Sequence, residues 1–350
     1  MKKKRSFILR GLVFLLLFSY LFVHISYAKR PDLSGVRDSV SGFYDEKKNT
    51  IDMVLIGASG CMSAFMPMKA YAEQGIAAYD FCLDDIACET VPYVINEAEK
   101  TQNPKLYVID IRPFVTGATL KGYAENDEIK DVAYNTDAFR YSFDRLRQLY
   151  RYLPHKVSSL SYYFDLTRYH KEELNLKNWN SAYHNARRGF DFYPWGGSVT
   201  YDEETEERIA IDPYAEEQLY ALLENCRKLD GKVVFFFLPY GHYDRCPELL
   251  QHRNYIADIL EKENFDFLDL SAHKEEMGLT LEQDFCNDAH WNVYGAEKIT
   301  AWLSRELQDR YGLPDRRGEA GYESWEADLE SWTASVEEEK QTVDKQSANS

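Results

Sequence analysis

Two residues far apart in this chain have the types and settings to do chemistry together. One is Ser59, in Ile51-Asp-Met-Val-Leu-Ile-Gly57-Ala-Ser59-Gly60-Cys61; the other is His290, in Asp284-Phe-Cys-Asn287-Asp288-Ala-His290-Trp-Asn292. A serine hydroxyl is a poor nucleophile until a base takes its proton, and imidazole is the usual base near neutral pH. A third group, normally a carboxylate, orients the imidazole and stabilises its charged form. Asp288 and Asn287 stand beside His290 and are the candidates for that role. Gly57 and Gly60 flank the serine, where close backbone approach to a developing oxyanion would be useful. A second reading of Gly57-Ala-Ser-Gly60 is the phosphate-cradling turn of a nucleotide fold. That fingerprint wants a third glycine at position 63, which is Ser63.

These residues need strands to hold them. Five of the six residues 51–56 are apolar, which reads as a buried strand. Residues 76–82, 104–112, 232–239 and 265–270 read as four more, with helical patterns at 67–75, 89–101, 212–229, 253–264 and 295–311 between and after them. That alternation predicts a parallel sheet with helices on both faces. In such sheets ligands collect at the strands' carboxyl ends. The other site candidates lie there: Asp80 and Cys82 after the second strand, Arg112 after the third, Tyr240 and His242 after the fourth. For Arg112 a salt bridge to the acidic body competes with binding of an anionic substrate group, and His242 also reads as a solvated loop residue. Residues 115–205 break the rhythm and are rich in Tyr, Arg, His and Asn. They read as a long insertion, part lid and part substrate platform, with a tyrosine-rich surface layer as the plainer alternative.

Charge and cysteine content narrow the function classes. The 350 residues carry 41 Lys and Arg against 58 Asp and Glu, a net of −17. Residues 1–30 contain seven basic and no acidic side chains, so residues 31–350 hold 34 basic against 58 acidic ones, a net of −24. An acidic body of this kind repels nucleic acid backbones, and no nucleic-acid partner is expected. Lys2, Lys3, Lys4, Arg5 and Arg10 precede an apolar run from Gly11 to Tyr27, near the shortest length that spans a bilayer. Basic residues before the run predict an inside N-terminus with the bulk of the chain outside. Ser26-Tyr27-Ala28 also has the small-x-small pattern of a signal-peptide cleavage site, so residues 1–30 are an uncleaved anchor or a removed signal. Six cysteines permit disulfides in an exported chain, and Cys61, Cys82 and Cys286 beside the site loops could supply one. No Cys/His spacing suggests a metal.

Ser59 after a first strand, with a late His290-Trp-Asn-Val-Tyr-Gly-Ala-Glu-Lys298 running into a terminal helix, resembles the SGNH/GDSL hydrolase superfamily. It is similar in particular to the membrane-anchored SGNH-type proteins of Firmicutes, related in layout to the D-alanyl-lipoteichoic acid transfer protein. Gly75-Ile-Ala-Ala-Tyr79, Pro104 to Asp110, Arg188-Gly189-Phe190, Leu313 to Arg317 and Trp325 share in that likeness over about residues 50–330. The resemblance implies a flavodoxin-like three-layer α/β sandwich around a central parallel sheet, with Ser59 as nucleophile, His290 as base, and no cofactor or metal. It implies an exported hydrolase or acyltransferase acting on O-acyl esters of cell-envelope glycopolymers, with an acylated carbohydrate as substrate and a membrane acyltransferase as a possible partner. The departures are Gly60 where the family often has a polar residue, Asp80-Phe81-Cys82 where it has Asn-Leu-Gly, and Asn287 where its acid stands. They keep open a catalytically impaired binding or assembly partner in envelope polymer modification. The expected layout is an anchor or signal at 1–30, a stalk at 31–50, an α/β domain at 51–330 with the insertion at 115–205, and a disordered tail at 331–350.

Overall fold

The structure is a computed structural model that describes residues 2–31, 36–126, 128–153, 159–197 and 199–347. Its centre is a five-stranded parallel sheet: β1 (Met53–Ile56), β2 (Ala78–Asp80), β3 (Leu106–Asp110), β4 (Lys232–Phe237) and β5 (Asp266–Asp269). The order across it is β2-β1-β3-β4-β5. Leu55 lies opposite Val108, Val108 opposite Val234, and Phe236 opposite Leu268. Every residue of β1 and β3 is buried. Strands covered on both faces read as unbroken apolar runs rather than alternating ones, which is why Met-Val-Leu-Ile carries no polar residue.

Helices Pro67–Gln74 and Val293–Tyr311 pack together on one face; Val91–Glu99, Pro213–Cys226 and Leu249–Lys262 cover the other. The result is the three-layer α/β sandwich expected from the alternation. Local sequence sets the helix ends. Pro67 occupies the first turn, where its missing N–H costs nothing, and Gly75 closes the helix in the left-handed region at φ 75°. Asp212 caps Pro213–Cys226 by accepting from the Tyr214 and Ala215 amides at 2.9 and 3.0 Å.

Beyond β5 the chain forms a two-stranded antiparallel hairpin, β6 (Phe285–Asn287) and β7 (His290–Trp291). Between β3 and β4, short helices at Leu120–Glu125, Ile129–Asp137, Phe143–Tyr152, Ser159–Tyr163 and Asp165–Arg168 form the insertion. They enclose a small core of Leu120, Val132, Leu149 and Leu153 beside the main one.

Two terminal expectations are corrected. Residues 36–45, taken from their polarity as stalk, form a helix whose Val40 and Phe43 are buried; Phe43 stacks on Phe81 with centroids 4.0 Å apart. Of the tail expected to be disordered at 331–350, residues 331–347 lie within helix Glu323–Ser347, which buries Trp325, Trp332, Val336 and Val343, and residues 348–350 lie outside the described residues. Those four residues make one apolar helical stripe, and burying it outweighs the polar composition around it. All six cysteines are buried and free, so Cys61, Cys82 and Cys286 form no staple.

One N-terminal helix, Lys2–Ala28, is long and apolar enough to cross a membrane, and its spanning portion is exposed. Its last turns are built into the body. His24 stacks on Trp179, Tyr27 stacks on Tyr141 at 4.9 Å, and Ser26 and Ala28 are fully buried. The Ala28 carbonyl accepts from the Asn175 amide at 2.7 Å. Just beyond, Arg30 is 2% exposed and donates to Asp165 at 2.7 Å, to the Ala138 and Phe139 carbonyls at 3.0 and 2.8 Å, and to Ser181 at 2.8 Å. Asp165 also pairs with Arg145 at 3.3 Å and accepts from the Tyr141 hydroxyl at 2.8 Å. Burial alone would raise the Asp165 pKa, but Arg30 and Arg145 outweigh it and the net shift is downward.

Candidate active site

The sheet order places β1 and β3 side by side, with the chain leaving them in opposite directions to β2 and β4. The crevice at that reversal, outside the carboxyl ends, is where doubly wound sheets bind ligands. Ser59 follows β1 and opens a short helix, Ser59–Ala64; Arg112 follows β3. The β6–β7 hairpin folds over the same edge and brings His290 down beside Ser59. A cleft of about 610 Å³ is lined here by Ser59, Gly60, Arg112, Asn287, Asp288 and His290 among others.

Gly60 is what allows the hairpin to approach. A Cβ there would lie 2.7 Å from the Ala289 carbonyl and 3.0 Å from the Tyr240 ring, closer than real Cβ atoms come without displacement of a neighbour. The fit is backed by Ser63, whose hydroxyl accepts from the Trp291 amide at 3.3 Å, and by Asn292, which caps helix Val293–Tyr311.

Ser59 Oγ and His290 Nε2 are 2.8 Å apart, and His290 Nδ1 is 2.8 Å from Asn287 Oδ1. The same Asn287 oxygen accepts from the Ala289 amide at 3.0 Å. A backbone amide only donates, so the asparagine atom facing it is the oxygen. That oxygen requires a proton on Nδ1, which leaves the Nε2 lone pair facing the serine hydroxyl. This is the tautomer a general base needs. Tyr193 stacks on the imidazole, with centroids 4.4 Å apart and planes 11° apart, and the ring adds to its burial. Burial first, and the nearby Arg112 charge second, lower the His290 pKa to about 4. An amide partner supplies no charge to oppose either effect.

Arg112 is 9% exposed and makes no ion pair with any of the described residues. Its guanidinium lies 4.0 Å from the Tyr240 ring centroid and 5.0 Å from that of Tyr243. The adjacent Asp110 carboxylate is occupied by the Tyr240 hydroxyl at 2.7 Å and by Arg112's own backbone amide at 3.0 Å. Burial raises the Asp110 pKa to about 6 against those two bonds and the nearby Arg112 charge. The salt bridge expected as one role for Arg112 is thus absent among the described residues.

Of the other predicted site residues, all but Asp288 fall outside the cleft. Asp80 is fully buried, with neither carboxylate oxygen hydrogen-bonded, and burial pushes its pKa well above the carboxylate range. Cys82 is buried beside it, its thiol 3.8 Å from the Leu55 carbonyl. Gly57 accepts the Leu83 amide through its carbonyl at 3.1 Å and does not line the cleft. Tyr240 stands behind Arg112. His242 pairs with Asp202 at 2.6 Å and Asp244 at 3.1 Å, away from the serine. Asp288 lines the cleft, but the partner of His290 is Asn287. Asp284 is sequestered by Lys298 and Thr280. Tyr193 was missed by sequence reasoning, since it sits in a loop with no periodicity to signal it. No group of three His, Cys, Asp or Glu side chains that could hold a metal ion occurs among the described residues.

No protein-family model matches the chain, and no curated protein matches it. Among solved structures it is similar to a lipolytic protein of the G-D-S-L family from Desulfitobacterium hafniense, at 11% identity and TM-score 0.36, over 72% of this chain and 97% of that one. It is also similar to a family two carbohydrate esterase from Clostridium thermocellum, at 9% identity and TM-score 0.34, over 77% and 66% of the two chains. A gut microbial diltiazem-metabolizing enzyme matches at 9% identity and TM-score 0.37, over 77% and 47%.

Proposed function

We propose that this chain is an exported, membrane-anchored serine esterase or acyltransferase of SGNH type that acts on O-acyl esters of cell-envelope glycopolymers. The observation that carries the reading is the relay from Ser59 through His290 to Asn287, with both links at 2.8 Å. In the first half-reaction His290 Nε2 takes the Ser59 proton as Oγ bonds to the acyl carbonyl carbon. The tetrahedral intermediate then breaks its bond to the substrate alcohol, which leaves with the proton from His290. In the second half-reaction water, or an acceptor hydroxyl, gives its proton to Nε2 and takes the acyl group from Ser59. Hydrolysis and transfer differ only in that acceptor.

Anchoring is supported by the burial of Ser26, Tyr27 and Ala28. Cleavage after Ala28 would remove the His24 and Tyr27 stacking contacts from the folded body. Intact mass measurement of the protein from membranes tests this, with residues 1–28 retained.

A second reading is favoured by Asn287. An amide orients an imidazole but stabilises imidazolium poorly; the Asp-to-Asn change in serine proteases costs about 10⁴-fold. A chain so disarmed would bind acylated polymer, or a membrane acyltransferase, without turnover. Labelling with a fluorophosphonate separates the two: modification of Ser59 supports the enzyme, and an inert Ser59 the binding partner.

A further inference from the structure

Arg112 is the unexplained group of this molecule. Buried arginines are ordinarily paired, because an unpaired buried charge is costly. Arg30, Arg145, Arg188 and Arg253 all follow that rule here. Arg112, at 9% exposed somewhat less enclosed than these, has aromatic rings on its flanks and, although the nearby Asp110 feels its charge, no carboxylate within ion-pair range among the described residues. The rings and the Asp110–Tyr240 bond fix the side chain while leaving its donors to the cleft. Arg245, exposed on the same cleft, also lacks an ion-pair partner among the described residues. The cleft's acids are Asp85, Glu128, Asp131 and Asp288; the first three gather around Tyr123. Arg112 thus lies close enough to His290 for its charge to be felt there, with Asp288 on the same hairpin, while the other three acids gather in another part of the cleft.

We infer that Arg112 receives an anionic group of the substrate, so that the ester acted on at Ser59 lies beside a phosphate or carboxylate. A guanidinium matches the planar fork of a carboxylate and the oxygens of a phosphate, and it is strongest where water is scarce. Arg112 positions the ester by holding that neighbouring anion, with Arg245 extending the track outward. The inference rests on the proposed esterase site for the word ester, but the anion-binding part stands without it.

The test uses the full chain in detergent micelles, carrying Ser59→Ala so that nothing turns over. Calorimetry with inorganic phosphate, succinate, a glycerol phosphate oligomer and an oligogalacturonate measures anion binding directly. At least one anion binds, and Arg112→Gln weakens it by at least about tenfold, the scale of one lost charge-assisted contact. Tighter binding of the phosphate oligomer assigns a phosphodiester polymer; tighter binding of the galacturonate assigns a carboxylate one. Absence of binding by all four, or binding indifferent to Arg112→Gln and Arg112→Lys, overturns the proposal. A second arm compares 4-nitrophenyl acetate with 4-nitrophenyl hemisuccinate on Ser59-containing protein. Arg112→Gln lowers kcat/KM at least tenfold more for the charged ester; an equal loss on both would place Arg112 at the oxyanion instead and also overturns the proposal. If Ser59 proves inert while anions bind through Arg112, the esterase reading falls and the anion site remains.

Discussion

Arg30 and Arg112 are both nearly enclosed, and they are enclosed in opposite ways. Around Arg30, one carboxylate, two carbonyls and a serine hydroxyl take up its guanidinium, and Asp165 is itself shared with Arg145 and Tyr141. Around Arg112 there are two aromatic rings and an open cleft. The first arrangement is satisfied within the chain and ties the N-terminal helix to the insertion. The second leaves the guanidinium donors without an acceptor among the described residues. A buried charge with every partner present holds structure together, and one without partners marks where a ligand completes it.

The difference gives outcomes that can be ranked. The largest is at the site's weakest member. Asn287→Asp gives His290 the carboxylate it lacks, and ester hydrolysis should rise by up to about 10⁴-fold, the reverse of the loss known for Asp-to-Asn in serine proteases. The same variant should raise the His290 pKa, readable as an upward shift of the acid limb in a rate–pH profile.

Next is stability. Asp165→Ala leaves Arg30 and Arg145 buried without their shared carboxylate and should cost about 3–5 kcal/mol in urea unfolding. Arg112→Gln breaks no internal pair and should change stability by less than about 1 kcal/mol. Equal losses would erase the distinction between the two arginines.

Gly60→Ala puts a methyl 2.7 Å from the Ala289 carbonyl and should push the hairpin off Ser59. A displacement approaching 1 Å should slow serine modification by about 10²-fold, with the fold retained by circular dichroism.

The smallest effect is on pH. With His290 lowered to about 4 from an ordinary 6.5, the base stays neutral through the physiological range. The rate should therefore fall only as pH drops through about 4. Arg112→Gln removes the secondary cause and should move that limb upward by less than about one unit. Stability has the same sign. Between about 4 and 6.5 the unfolded chain holds a proton that the folded His290 does not, so this residue's contribution favours folding increasingly as pH rises through that window.

The sheet was legible because strands buried on both faces leave continuous apolar runs, as at 53–56 and 233–238. The Ser59 and His290 placement was legible because a parallel sheet collects its strand ends on one edge, and a late loop can return there. What decides the site's electrostatics was not legible. Nothing local distinguishes Arg112 from a surface-paired arginine, because its lack of a partner depends on Tyr240 having taken Asp110. The burial of Asp80 without a hydrogen-bond partner likewise depends on what covers it. The closing helix was misread although its signal was present: Trp325, Trp332, Val336 and Val343 recur at helical spacing among acidic residues, and composition was given more weight than period.

The most direct test of the account is fluorophosphonate labelling of the full-length protein in micelles, read by peptide mass spectrometry. The account predicts stoichiometric modification at Ser59, abolished in Ser59→Ala and slowed by at least about 10²-fold in His290→Ala, the scale of a lost general base. Modification elsewhere with Ser59 untouched, or Ser59 labelling that persists unchanged without His290, would contradict it.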